Sequence, residues 1–380
     1  MDEALPIDAR SVLLRHGNYK IRRGGTKVQR NTRRQFLATA AGATVGGLAA
    51  PAAAVAQDLP PHERELHESA KREGEVTWYS GQYSAETSEA VGRGFTERYP
   101  GVRCNVVRST SQVAFQRLSQ DARARVAQCD VFSSTNSGHL TQLKREGRLT
   151  QFRPRNADGM LEPIRTADPD NFYQTTFLGL FQLAHNTQKV SEAEAPKSWT
   201  DLLDPKWRDQ LAVGHPGFSG AIGVWAVQMR KMYGWDYFNR LEQNRPQIGR
   251  SSQDPVTLLN AGERTVGVCI PAGTVLLSIS RGNPLRLVYP TEGVLAAISP
   301  SGIPRNAPHP SAARLFMEYQ ASKEMSQVIR GLYAEPLRSD VPGPEGSLPL
   351  DQVKLLTPTL EEQEKGVPEV RELWRDTFGI

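Results

Sequence analysis

The sequence predicts an α/β fold in two lobes, and three observations predict it. Strand-like and helical segments alternate from residue 62 onward, the pattern that builds a parallel sheet covered by helices. Without an N-terminal targeting segment of 56 residues the 380-residue chain keeps 380 − 56 = 324. That is more than one hydrophobic core usually holds, so two lobes are expected. No stretch after the leader is apolar and long enough to span a membrane.

The alternation runs in order. His62 to Glu73 is charged and reads as a helix, and Glu75-Val76-Thr77-Trp78-Tyr79 is rich in β-formers. Ser80-Gly81-Gln82-Tyr83-Ser84 reads as a loop, and a helix from about Ala85 to Tyr99 carries Val91 and Phe95 four apart until Pro100-Gly101 stops it. Val102 to Val107 is a second strand, a helix passes through Phe115 and Leu118, and Asp130-Val131-Phe132 is a third strand leading into Ser133-Ser134-Thr135-Asn136. In the second half, Phe177 to Ala184 is an apolar run suited to a buried strand, and a helix is expected from Ser198 as N-cap through Leu203. Leu211-Ala212-Val213 is a short strand before Gly214 to Ala221, and the helix that follows carries Val224, Trp225, Val227 and Met229. Thr265 to Ile270 is a strand ahead of Pro271-Ala272-Gly273-Thr274, and Pro310 launches a helix from Ser311 to about Ser322.

The leader is read from Thr32-Arg33-Arg34-Gln35-Phe36-Leu37, which opens an Ala/Gly-rich run ending in Ala54-Val55-Ala56. A paired arginine before a mildly apolar run and a small-x-small site is a twin-arginine export signal, so residues 1–56 are expected to be removed and the mature chain to work in the periplasm. Residues 1–56 hold nine of the 46 Lys/Arg and three of the 41 Asp/Glu, leaving 46 − 9 = 37 basic and 41 − 3 = 38 acidic residues. The basic surplus leaves with the leader, and with it any case for nucleic-acid binding. Cys104, Cys129 and Cys269 lack the spacing of a metal site or a disulfide framework and read as buried free thiols.

Five stretches, in order, resemble one family: Lys71 to Gln82, Phe95 to Val102, Cys129 to Phe132, Trp199 to Trp207 and Ala307 to Ala313. They are similar to the bacterial extracellular solute-binding proteins of family 1, in the branch of the ferric-ion-binding proteins. The resemblance implies a two-lobed periplasmic-binding-protein fold of the type II, Venus-flytrap kind, each lobe a mixed sheet flanked by helices. Residues 57–178 plus 294–345 would form one lobe and 179–293 plus 346–380 the other, with the exchanges near Leu178-Gly179 and Gly293-Val294. It also implies a monomer that captures a solute for an ABC permease and its ATPase, touching the inner membrane only through the permease. A sensor docking to a membrane receptor would share these features.

Ligands in such lobes sit outside the C-terminal ends of strands, where loops and helix N-termini meet. That rule and the resemblance select Ser80, Gln82, Tyr83, Ser134, Thr135, Asn136, Ser219, Gly220, Ala221, Ala272, Gly273 and Thr274. Ser219-Gly220-Ala221 falls at a helix start, where free amides favour an anion, and the resemblance puts phosphate or carbonate contacts there. For ferric ion the family uses a tyrosine pair with a histidine or carboxylate from the opposite lobe, a hard oxygen-rich set. At those positions this chain has Ala272 and Gly273, Gln82 or Tyr83, and Asn136, so iron transport is the alternative rather than the expectation. The expected solute is a small organic anion such as a phosphonate, phosphate ester or carboxylate, its body filling the volume vacated at Ala272 and Gly273. No cofactor and no metal are expected.

Catalysis is the rival class, because Gly217-Phe218-Ser219-Gly220-Ala221 is one residue from the G-x-S-x-G nucleophile elbow. Ala221 replaces the last glycine, and no oxyanion loop precedes it, so a serine acyl hydrolase is not expected and the protein is read as no enzyme. His215 reads as structural and Arg250 as exposed.

Overall fold

The computed structural model of the protein describes residues 59–380; the leader expected over 1–56 lies outside the described residues. The first wing holds helix α1 (Pro61–Glu73), strand β1 (Glu75–Gly81), α2 (Ala85–Arg98), β2 (Arg103–Arg108), α3 (Ser111–Arg123), β3 (Val131–Ser134), α4 (Gly138–Arg145), β4 (Leu149–Thr150) and a short turn α5 (Glu162–Arg165). Strand β5 (Tyr173–Asn186) leads to the second wing: β6 (Leu211–Val213), α6 (Gly220–Tyr233), α7 (Asp236–Glu242), β7 (Gln247–Ile248), α8 (Asp254–Ala261), β8 (Val266–Pro271), α9 (Ala272–Ser280) and β9 (Leu285–Val288). Strand β10 (Val294–Pro304) returns to α10 (Pro310–Gln320) and α11 (Lys323–Arg330), and the chain closes with β11 (Leu355–Leu356) and α12 (Leu360–Phe378).

The strand order is β2-β1-β3-β10-β5-β8-β6-β7. In the first wing β1 runs parallel to β2 and β3, and in the second β6 runs parallel to β7 and β8. Two long strands join them. β10 pairs antiparallel with β5 from Leu295↔Phe181 to Gly302↔Tyr173, and also meets β3 at Ser301↔Ser133. β5 goes on to pair with β8 from Phe181↔Pro271 to His185↔Val266. All fourteen residues of β5 are buried, as a strand covered on both faces requires, which is why its apolar run reads so plainly in the sequence. This is a mixed α/β, two-lobed architecture with antiparallel crossing strands between parallel wings.

Each wing has its own aromatic core. Phe316 packs against Trp78 and Phe95 in the first, at centroid distances of 5.3 and 5.1 Å. Trp225 and Trp374 pack around Phe238 in the second, at 5.4 and 5.6 Å. Three of the family-like stretches, Lys71 to Gln82, Cys129 to Phe132 and Ala307 to Ala313, are stitched together within the first wing. Asp130, fully buried, accepts from Thr77 N and His309 N at 2.7 Å and from His309 Nδ1 at 2.9 Å. Glu73 accepts from Ser311 N and Ala312 N at 3.0 and 2.8 Å. Both carboxylates thus meet the positive start of α10, binding the early and late parts of the chain together.

Local boundaries differ from expectation in four places. Ser80 and Gly81 finish β1, and Ser133 and Ser134 finish β3, because parallel pairing of Ser80 with Ser133 and Gly81 with Ser134 extends both strands. The helix expected from Ser198 is a single 3-10 turn, Thr200–Leu203, although Ser198 Oγ does accept from Asp201 N at 3.0 Å. Pro205 ends any continuation. After Pro271 the chain turns directly into α9. Cys129 and Cys269 are buried free thiols, whereas Cys104 is half-buried.

Candidate ligand-binding cleft

Where the wings meet, one cavity is floored by the middle of β5, Phe177 to Phe181. The first wing contributes Gln82, Tyr83, Ser84 and Thr87 together with Leu332, Ala334 and Glu335; the second contributes Ser252, Gln253 and the start of α9, Ala272-Gly273-Thr274. The cavity measures about 50 Å³ over the centres of the water-sized spheres it admits. That is room for a few waters, so the cavity suits a compact solute.

Five of the twelve residues singled out from the sequence line this cavity: Gln82, Tyr83, Ala272, Gly273 and Thr274. Gln82 and Tyr83 direct their polar ends to the crossing strands. Gln82 Nε2 lies 3.1 Å from Thr176 Oγ1, 3.3 Å from Ser299 O and 3.2 Å from Pro300 O. Tyr83 Oη donates to Thr176 O at 3.1 Å, and burial pushes its phenol well above the ordinary range. Tyr83 is therefore a neutral donor tied to the hinge strands.

α9 begins at Ala272 with Pro271 as N-cap, and no side chain caps it. Its first-turn amides have no intrahelical acceptor, so this helix start presents unspent positive dipole at the cavity wall. Two non-glycine residues hold left-handed backbone beside it, Cys269 with φ 51° in β8 and Tyr333 with φ 62°. Such conformations cost on the order of 1–3 kcal/mol and persist only where the surroundings fix them. Gly273 is a close-approach glycine: a Cβ there would stand 2.6 Å from Tyr333 O. The side-chain volume expected to be vacated at Gly273 is thus filled by the Tyr333 backbone, and the cavity lies alongside it.

Seven of the expected residues do not line the cavity. Ser80 Oγ pairs with Ser88 Oγ at 2.9 Å, and Ser134 Oγ with His139 Nδ1 at 2.8 Å, both inside the first wing. Thr135 Oγ1 pairs with Ser111 Oγ at 2.7 Å. Asn136 and Thr135 face Gly220, where a Cβ would stand 2.7 Å from Thr135 Oγ1 and 2.8 Å from Asn136 N. Ser219 Oγ caps its own helix by accepting from Ile222 N at 3.5 Å, and Ala221 is buried behind it. The start of α6 is therefore covered by the opposite wing, with Gln112 N donating to Phe218 O at 3.2 Å across the same junction.

Five polar residues on the cavity wall escaped the sequence reading: Ser84, Thr87, Ser252, Gln253 and Glu335. Glu335 is 6% exposed; its Oε1 accepts from Ser347 Oγ at 3.1 Å, and burial pushes its carboxyl up to about 7. Its sequence signal was a lone acid in the otherwise apolar run Leu332-Tyr333-Ala334-Glu335-Pro336-Leu337.

The groups a hydrolase would need are engaged elsewhere. His309 bonds Asp130, and His215 Nδ1 accepts from Gly217 N at 2.7 Å, so neither imidazole pairs with Ser219. His139 is buried between Ser134 and Gln112 and held down to about 3 by burial, with Arg371 adding to the effect. Arg250 is exposed and lies over the Phe218 ring at 4.6 Å. Among the described residues no group of three or more His, Cys, Asp or Glu could hold a metal ion, and no helix is long and apolar enough to cross a membrane.

Two lobes, crossing strands and a cavity at the crossing are the layout of a protein that holds a small ligand between its lobes. The sequence pattern of the bacterial extracellular solute-binding proteins matches residues 128–353, more than half of the chain, and the chain belongs to that family. A periplasmic protein of Salmonella typhimurium provisionally named for 2-aminoethylphosphonate binding is 24% identical over 285 residues, covering 71% of this chain and 77% of its own. The fold is similar to the periplasmic binding protein AfuA of Actinobacillus pleuropneumoniae, solved with fructose-6-phosphate (TM-score 0.73, 22% identity, 81% of this chain and 99% of that one). It is also similar to iron-bound HitA of Pseudomonas aeruginosa (TM-score 0.68, 21% identity, 80% and 99%). The protein is thus a solute-binding component of the ABC-importer type, a class that works with a permease and an ATPase, and its family and fold are those of transport rather than catalysis.

Proposed function

We propose that this protein captures a small organic anion, of the phosphonate, phosphate-ester or carboxylate kind, between its lobes and delivers it as a monomer to an inner-membrane permease. The observation that carries this reading is the uncapped start of α9 on the cavity wall, where amides of Ala272, Gly273 and Thr274 can receive negative charge. Thr87, Ser252 and Gln253 add neutral hydrogen-bonding groups on facing walls. A relative named for aminoethylphosphonate binding agrees with an anion of this size. Ferric ion is disfavoured because the Tyr83 phenol is committed to Thr176 O and kept protonated by burial.

In this reading residues 57–178 plus 294–345 and 179–293 plus 346–380 are the two lobes, and twin-arginine export places the mature chain in the periplasm. The meeting of Ser134, Thr135 and Asn136 with Ser219, Gly220 and Ala221 is the seam that forms on closure. Bound solute then shifts the population toward the closed state, which the permease reads. Thermal-shift screening of the mature protein against phosphonates, phosphate esters, carboxylates, polyamines and ferric citrate tests it. A saturable rise with a small acid is the expected result, since a ligand of the native state stabilises it by mass action. Selective stabilisation by iron or by a polyamine sinks the proposal.

A further inference from the structure

We propose that the captured solute is zwitterionic, its acidic group received at the start of α9 and an ammonium group paired with Glu335 on the facing wall. This deepens the anion reading above and rests on it. Among the described residues lining the cavity Glu335 is the single charged one. A purely anionic guest would therefore meet a carboxylate with no cation beside it.

The carboxylate is built into the fold. Glu335 is buried, and only Ser347 Oγ donates to it, at Oε1; Oε2 has no hydrogen-bond partner among the described residues. Oε2 is not one of the buried unpartnered atoms, so it stays accessible and its acceptor capacity is open to an incoming donor. An alkylammonium group fits both needs, since it supplies a positive charge and three N–H donors. The segment that carries Glu335 is fixed against the opposite pole of the cavity. Tyr333 holds a left-handed backbone, and its carbonyl packs on Gly273 at the start of α9. The positive helix end and the negative side chain are thus placed by one rigid contact, which sets the span between the two charges the solute must carry. Burial pushes the Glu335 carboxyl up to about 7, the behaviour of a group that lacks its counter-charge.

Isothermal titration of the mature protein with matched pairs tests this: 2-aminoethylphosphonate against ethylphosphonate, β-alanine against propionate, and putrescine as an amine without an acid. The amino member of a pair should bind at least about tenfold more tightly, the worth of one charge-assisted hydrogen bond. In Glu335→Gln that advantage should vanish, with the amine-free acid bound at least as tightly as by the wild type because the like charge is gone. Equal affinity within both pairs in the wild-type protein overturns the ammonium assignment and leaves the anion reading standing. Binding of putrescine alone, or of no probe, overturns both. The wild-type pairs decide the matter even should Glu335→Gln fold poorly.

Discussion

α6 and α9 start in the same way, each following a strand of the second wing and each facing the first, yet they meet opposite fates. α6 is capped by Ser219 and covered by Thr135 and Asn136. α9 has no side-chain cap and opens on the cavity. A helix start is thus a receptor for charge only when its amides are unspent and there is room in front of them.

The largest expected effect comes from blocking the open start. Gly273→Leu drives a side chain into Tyr333 O, 2.6 Å from the first added atom. We expect solute binding by calorimetry to be lost and unfolding free energy to fall by about 1–3 kcal/mol, the usual cost of overpacking. Retained binding would show that α9 is not the receptor. Ser219→Ala sharpens the other side: loss of the cap should lower stability by about 1 kcal/mol in denaturant titration with solute affinity unchanged. A large loss of affinity would move the charge receptor to α6.

The cavity wall also makes stability depend on pH. The Glu335 carboxyl sits near 7 in the folded protein, above its ordinary value of 4.5, so the folded state holds the proton more tightly than the unfolded state. Stability from this group is therefore present below about 4.5 and is lost as pH rises through about 7. Thermal melts of solute-free wild type should show that decline, and Glu335→Gln should flatten it; parallel slopes would place the shift elsewhere. The smallest effect belongs to the Arg281–Glu86 ion pair, which ties the end of α9 to the start of α2 between two largely exposed side chains. Glu86→Gln should change solute affinity by less than about fivefold, and the difference should disappear at high salt.

The sequence exposed what is local and repetitive. The buried run of β5, the helix that begins at Ala85 and the Pro310 start of α10 all follow from neighbours in the chain. Five cavity residues were also legible, through the rule that strand ends build sites and the family-like spacing. Glu335 was not, because its place on the wall depends on Tyr333 meeting Gly273, a contact no window of sequence contains. The burial of Ser80 and Ser134 was hidden from the sequence for the same reason. Hydroxyls at a strand end look available until Ser88 and His139, from other elements, take them.

The carboxylates of Glu73 and Asp130 have a consequence for how the chain matures. The amides they hold belong to residues 309–312, up to 239 positions further on. The N-terminal wing cannot be finished until the second wing has been synthesised and the chain has come back, so a ribosome releases most of this protein before either carboxylate finds its helix. Closing so distant a loop is slow, and a truncation before Pro310 should leave even the earliest strands without a settled fold.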